Sequence, residues 1–103
     1  MTNLLGDAEI VESLAGLPAW HRDGAEIRAR FQAADFVAAI AFVNQVARRA
    51  EAADHHPDID IRWNRVTLVL STHSEGGLTA KDLALAGEIS ELSAAAGAVA
   101  IDG

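Results

Sequence analysis

The chain has 103 residues, half of them apolar, with 8 basic and 15 acidic side chains, a net charge of −7 and no cysteine. That length suits one domain with a modest core, the apolar content argues against disorder, and the missing cysteine excludes disulfides, thiol catalysis and thiolate metal sites. Arg28, Arg30, Arg48, Arg49, Arg62 and Arg65 are scattered along the sequence rather than run together, so this acidic chain is a poor candidate for binding nucleic acid through phosphates. The start, MTNLLGDAEIVES, shows no basic region before an apolar run, and no apolar segment is long enough to span a bilayer. A cytoplasmic protein without membrane contact is the expectation.

Asp7 to Leu17 reads as a helix, with Asp7 as its cap and Glu9 near the positive end of its dipole. Ile10, Val11, Leu14 and Leu17 recur at helical spacing, and Gly16 and Pro18 end the run. Ala19 to Arg22 and Ala25 to Phe31 follow as two strands. In the second, Ala25, Ile27, Ala29 and Phe31 alternate with Glu26, Arg28 and Arg30, and Asp23-Gly24 between the runs is a hairpin signal. His21 on the first strand reads as a surface or edge histidine.

Asp35 is the expected cap of the longest helix, about Phe36 to Ala53. Its front half is apolar almost all round: Phe36, Ile40, Val43 and Ala47 make one face, while Val37, Ala41 and Gln45 start another. That is wider than the stripe a helix needs to cover one sheet. The surplus points to burial against another subunit, although alanine also tolerates exposure.

Pro57 cannot continue this helix and holds His56 extended. Ile59 to Trp63 alternates as a strand, Asn64-Arg65 fits a turn, and Val66 to Thr72 is a second strand with Val66, Leu68 and Leu70 on one face. Ser74 to Gly77 is a loop. Thr79-Ala80-Lys81-Asp82 has the form of a capping box, with Asp where Glu or Gln is usual. It opens a last helix with Leu83, Ala86, Ile89 and Leu92 on its apolar face, Leu85 beside them, and residues 98–103 are expected as a loose tail. The order α-β-β-α-β-β-α implies one α+β domain over residues 1–103, with its core at about 7–96. It would be a four-stranded antiparallel sheet with helices packed on one face.

The stretch Asp54-His55-His56-Pro57-Asp58 holds two of the four histidines, and His73 follows the next hairpin. A hairpin returns the chain to its starting end, so three imidazoles can line one pocket, with Glu51 one helical turn before His55. Three readings compete. Three histidines and a carboxylate have the chemistry for zinc, but side chains adjacent in extended chain point apart and no HExxH or His-x-His is present. Surface histidines in a polar loop are a second reading. The third is acid–base catalysis without a metal, since an unperturbed imidazole, with pKa about 6.5, can both give and take a proton near neutrality.

Glu51-x-x-x-His55-His56-Pro57, Trp63 after the intervening DIDIR, Thr72-His73, Gly76-Gly77-Leu78-Thr79 and Asp82 together resemble the pterin-4a-carbinolamine dehydratase family. Trp20, Phe31 and Asp35-Phe36 extend the similarity over roughly Leu14 to Leu92. The resemblance implies a hydro-lyase that converts 4a-hydroxytetrahydropterin to quinonoid dihydropterin and water, without metal or cofactor, in support of tetrahydrobiopterin recycling. The 4a-hydroxyl leaves poorly unless protonated, and a ring nitrogen must lose a proton; one acid and one base supply about 10²–10⁴-fold each.

By the same resemblance His55, His56 and His73 are the catalytic residues, His55 and His73 for proton transfer and His56 to position substrate. Glu51 orients a histidine and Pro57 shapes the backbone. Trp63 flanks the pterin ring or packs at the hairpin tip, and Asp82 serves the site or only caps the last helix. Ala33 and Ser74 stand where the family often has an aromatic residue and an aspartate. The implied partners are a small-molecule pterin and further copies of the chain, as dimers or tetramers formed through the 36–53 helix and sheet edges. Some relatives bind proteins instead, one as a dimerisation cofactor for a transcription factor. The alternative is therefore a non-catalytic pterin-binding or protein-interaction module.

Overall fold

Alternation of apolar and charged side chains in two neighbouring runs builds the centre of the molecule. The computed structural model, which describes residues 3–101, has the order α1 (Asp7–Ala15), β1 (His21–Asp23), β2 (Glu26–Gln32), α2 (Phe36–Ala53), β3 (Asp58–Arg62), β4 (Arg65–Leu70), a 3₁₀ turn (His73–Glu75), α3 (Ala80–Ala96) and β5 (Val99–Ile101). All strand pairs are antiparallel: β2 pairs β4, β4 pairs β3, and β1 and β5 both pair β2. The register Ile27↔Leu70, Ala29↔Leu68 and Phe31↔Val66 puts six buried side chains on one face. Ala39, Phe42, Val46 and Ala50 of α2, with Leu85, Ala86 and Ile89 of α3, join them in the core. Phe31 stands edge-on to Phe42 at 5.4 Å and to Trp20 at 6.5 Å. Each fully buried aliphatic or aromatic side chain contributes about 1.5–3 kcal/mol. The expected α+β architecture is thus present, and among the described residues the opposite face of the sheet carries no helix. No helix among the described residues is long and apolar enough to cross a membrane.

Several details differ from expectation. Gly6, not Asp7, caps α1, with Glu9 reaching back to the Gly6 N–H, because the Asp7 carboxylate is engaged by Arg22 at 2.8 Å. Both hairpin turns sit one residue away from where the sequence pattern puts them. Asp23 pairs with Glu26 and Arg62 with Arg65, so the turn residues are Gly24-Ala25 and Trp63-Asn64. The inner face of α2 is Ala39, Phe42, Val46 and Ala50, whereas Phe36 and Val37 are exposed. Phe42 and Val46 fill the middle of this buried line and Ala39 and Ala50 its ends, so the expected face of Phe36, Ile40, Val43 and Ala47 is not the inner one. The expected tail is a fifth strand. Gly97 (φ 72°) reverses the chain after α3, Ala98 is buried, and Val99–Ile101 pairs with Gln32–Arg30. The reason is that β1 covers β2 only from Glu26 to Arg28, and an uncovered stretch of edge backbone seeks a partner.

Candidate active site

The end of α2 sets the first histidine. Asp54 adopts a left-handed conformation (φ 50°), which aspartate tolerates. Its N–H closes onto Ala50 and Glu51 carbonyls, and the His55 N–H also bonds the Ala50 carbonyl. The chain therefore turns sharply out of the helix and carries His55 inward, where it is 9% exposed. Pro57 then leads into β3.

The α3 N-terminus meets it. Asp82 is fully buried at the third position of that helix, and its carboxylate divides its oxygens between two tasks. Oδ2 accepts from the Thr79 backbone N–H (2.9 Å), completing the capping box, and from the Thr72 hydroxyl (2.8 Å). Oδ1 faces His55 Nε2 at 2.5 Å. The carboxylate only accepts, so Nε2 carries the proton, and Nδ1 is left without a protein partner among the described residues. The same logic orients the hydroxyls. Thr72 gives its proton to Asp82, so at their 2.8 Å contact Thr79 must donate to Thr72, while Thr79 Oγ1 accepts from the Lys81 N–H. Every buried polar atom of this network is satisfied, the condition under which such a network rigidifies a site.

The other two histidines are at the surface. His56 Nε2 pairs with Glu51 Oε2, with both side chains largely exposed. His73 opens the 3₁₀ turn immediately after Thr72; it is exposed, and its imidazole has no hydrogen-bond partner among the described residues. The pairing Asp58↔Val69 brings the two flanking segments, His55–Pro57 and Leu70–His73, to the same end of the β3–β4 hairpin.

His55, Thr72 and Thr79 converge on one buried carboxylate, so Asp82 is at once helix cap and histidine partner, while neither His56 nor His73 bonds to it. Glu51 reaches His56, and Pro57 is half-buried at the junction. Trp63 is not brought to the cluster. It stands at the opposite end of β3, 69% exposed, roughly 20 Å away at about 3.3 Å per residue. The residue that the sequence motif includes without a role of its own is Thr72, ordinary at a strand end. The signal that could have found it is the second oxygen of Asp82, which a buried capping box leaves needing a partner. Among the described residues no group of three or more His, Cys, Asp or Glu side chains is placed to hold a metal ion. A cleft of about 850 Å³ lies on the open face of the sheet, lined by none of the histidines.

Comparison with known proteins agrees with the motif. The family model described as pterin 4 alpha carbinolamine dehydratase matches residues 3–92. A protein of Roseiflexus castenholzii (strain DSM 13941 / HLO8), provisionally named a pterin-4-alpha-carbinolamine dehydratase, is 61% identical over 92 residues, covering 89% of this chain and 99% of that one. One of Nocardia farcinica (strain IFM 10152), named in the same way, is 57% identical over 91 residues, covering 88% and 96%. The crystal structure of a transcriptional coactivator/pterin dehydratase from Brucella melitensis superimposes with a TM-score of 0.84 at 36% identity, covering 87% of this chain and 98% of that one.

Proposed function

The chain belongs to the pterin-4a-carbinolamine dehydratase family, and we propose that it dehydrates 4a-hydroxytetrahydropterin to the quinonoid dihydropterin by histidine acid–base catalysis without a metal, serving tetrahydrobiopterin recycling. The observation that carries this reading is the buried Asp82–His55 pair. With Nε2–H donated to Asp82, His55 offers Nδ1 as a proton acceptor of fixed orientation, suited to take the proton from the pterin ring nitrogen. His73, free of protein partners, is suited to donate to the departing 4a-oxygen. The C4a–O bond then breaks, water leaves, and the nitrogen lone pair closes the new C=N bond. The His56–Glu51 pair positions the substrate at the rim.

The test is stopped-flow absorbance on enzymatically generated 4a-hydroxytetrahydropterin, using chelator-treated protein with His55→Ala and His73→Ala alongside. Fast dehydration that survives chelation and collapses in both variants is the expected result. Folded protein giving no acceleration over buffer would sink the reading.

A second reading, a protein-interaction module, is favoured by two observations. The Brucella melitensis protein is titled both coactivator and dehydratase, and the outward face of α2 here exposes Phe36 (50%) and Val37 (75%). That face and the sheet edges are the proposed contacts of a homodimer or homotetramer. Light scattering on Val37→Asp checks this: a smaller particle is expected, and an unchanged one would move the contact elsewhere.

A further inference from the structure

Residues Arg62 to Arg65 break three local rules in four positions. Trp63 opens its two-residue turn at φ 52°; the matching position of the β1–β2 turn is Gly24, at φ 61°. Glycine adopts that conformation freely, whereas a bulky aromatic does not. The Trp63 side chain is 69% exposed, so packing within the chain does not account for it. Arg62 and Arg65 stand directly opposite each other, a like-charge pairing that disfavours the sheet. Asn64 anchors the turn to Ala33 by two hydrogen bonds of 2.8 and 2.9 Å, yet its Oδ1 is buried without a partner. Rule-breaking concentrated in this way marks functional positions more often than accidents.

The register gathers more charge around this turn. Arg30 lies opposite Thr67, hence diagonal to Arg65, and Arg28 lies one step beyond on the open face. Four of the 8 basic side chains of a chain with net charge −7 thus line one cleft of about 850 Å³, with Trp63 beside them. Their charges are unequally spent. Arg28 lies 3.6 Å from Glu26 and 3.9 Å from Asp23, and Arg62 bonds Asp60 at 3.2 Å. The Arg30 guanidinium bonds only the neutral Thr67 hydroxyl, at 3.2 Å, and the Arg65 guanidinium has no partner among the described residues. Two guanidinium groups beside an exposed indole are therefore available to a ligand.

We propose that this cleft is a second ligand site, for a nucleoside 5′-monophosphate: the base stacks on Trp63 and the phosphate is held by Arg65 and Arg30. An indole face accepts any base, and the guanidinium fork matches phosphate oxygens. A long polyanion is disfavoured, because the acidic remainder of the surface repels charge extending past the cleft. A single phosphate meets the arginines at contact range, inside the screening length of about 8 Å. The site is independent of the histidine cluster and of the reaction proposed for it.

The test uses the full chain and its two tryptophans. Trp20 is 2% exposed and bonded to Ser90, so red-edge emission reports Trp63. Titration with adenosine 5′-monophosphate should quench that emission saturably at submillimolar concentration. Adenosine and inorganic phosphate, each alone, should bind at least about tenfold more weakly. By calorimetry, Trp63→Leu and Arg65→Gln should each lose about tenfold in affinity, and Arg65→Gln should leave dehydration untouched. Phosphate binding as tightly as the nucleotide, no saturable quenching into the millimolar range, or a free-protein Trp63 already shielded from iodide by another copy would each overturn the proposal.

Discussion

Replacing Asp82 by Asn isolates the chemistry from the fold. The carboxylate takes three hydrogen bonds on two oxygens: His55 on Oδ1, Thr72 and the Thr79 N–H on Oδ2. An asparagine has one oxygen and one NH₂ group. Placing the NH₂ toward Thr79 would oppose two donors, so the oxygen keeps the Thr79 side and the NH₂ faces His55. There it must donate, which forces His55 to accept at Nε2 and to carry its proton on Nδ1. The ring nitrogen offered to substrate changes from acceptor to donor, and the base is lost at nearly constant shape. The expected loss of kcat is about 10²–10⁴-fold. Hydrogen bonds to a charged group are worth about 1.5–3 kcal/mol and neutral ones about 0.5–1.5. Part of the difference returns because a buried charge is removed. A net loss of roughly 1–3 kcal/mol corresponds to about 5–20 °C in Tm at this chain length. Asp82→Ala is not an equivalent test: three buried groups lose their partner at about 1–3 kcal/mol each, a large share of a total stability of about 5–15 kcal/mol. Stopped-flow dehydration, thermal melting and ¹⁵N imidazole spectra of the Asn variant form one experiment. A folded Asp82→Asn protein with full activity, or one with reduced activity but an unaltered His55 tautomer, would refute the reasoning.

Three other outcomes follow from the same geometry. His73→Ala should lose at least about 10²-fold in kcat, while its unfolding free energy in urea stays within about 0.5 kcal/mol of the parent, as for an exposed side chain without partners; a large drop in stability would show the ring to be structural. Truncation after Gly97 removes Ala98 from the core and uncovers β2 from Arg30 to Gln32, so hydrogen exchange should accelerate in that half of β2 and the melting temperature should fall; unchanged exchange would mean that β5 is dispensable. Trp63→Gly should stabilise the protein by about 1 kcal/mol, because φ 52° carries no penalty in glycine; a destabilised variant would show that the indole packs on something.

Which features were legible in the sequence depended on whether a residue has one local use or two. The alternation over residues 25–31 and 66–72 and the Asp35 cap serve single purposes, and the elements they specify are present within one or two residues of those bounds. Asp82 was framed as either cap or site residue, because periodicity cannot show that two oxygens of one carboxylate are used separately. In α2 the apolar residues run nearly all round, so spacing alone did not identify Ala39, Phe42, Val46 and Ala50 as the inner line. β5 has only three residues, and its pairing arises from an edge vacancy that exists only after β1 and β2 have met. The arginines are dispersed in sequence and become neighbours through cross-strand register, which no linear charge count contains.

The β3–β4 ladder of five pairs, Asp58↔Val69 to Arg62↔Arg65, separates two ends of opposite character. At the histidine end the buried polar atoms are satisfied, and the strain is confined to Asp54, a residue type that accepts it. At the tryptophan end a buried oxygen is unpaired, like charges are opposed, and a left-handed conformation is imposed on an aromatic. If each end is constrained by its own chemistry, substitutions at the two should be energetically independent. Sites more than about 7–10 Å apart without shared partners add to within about 0.3–0.5 kcal/mol, and roughly 20 Å of strand lies between these. Asp82→Asn and Trp63→Gly combined should therefore give the sum of the two single effects in urea unfolding, one loss and one gain. A coupling above about 1 kcal/mol would mean that the hairpin transmits strain from turn to site, and the tryptophan would then have to be counted among the residues that position the histidines.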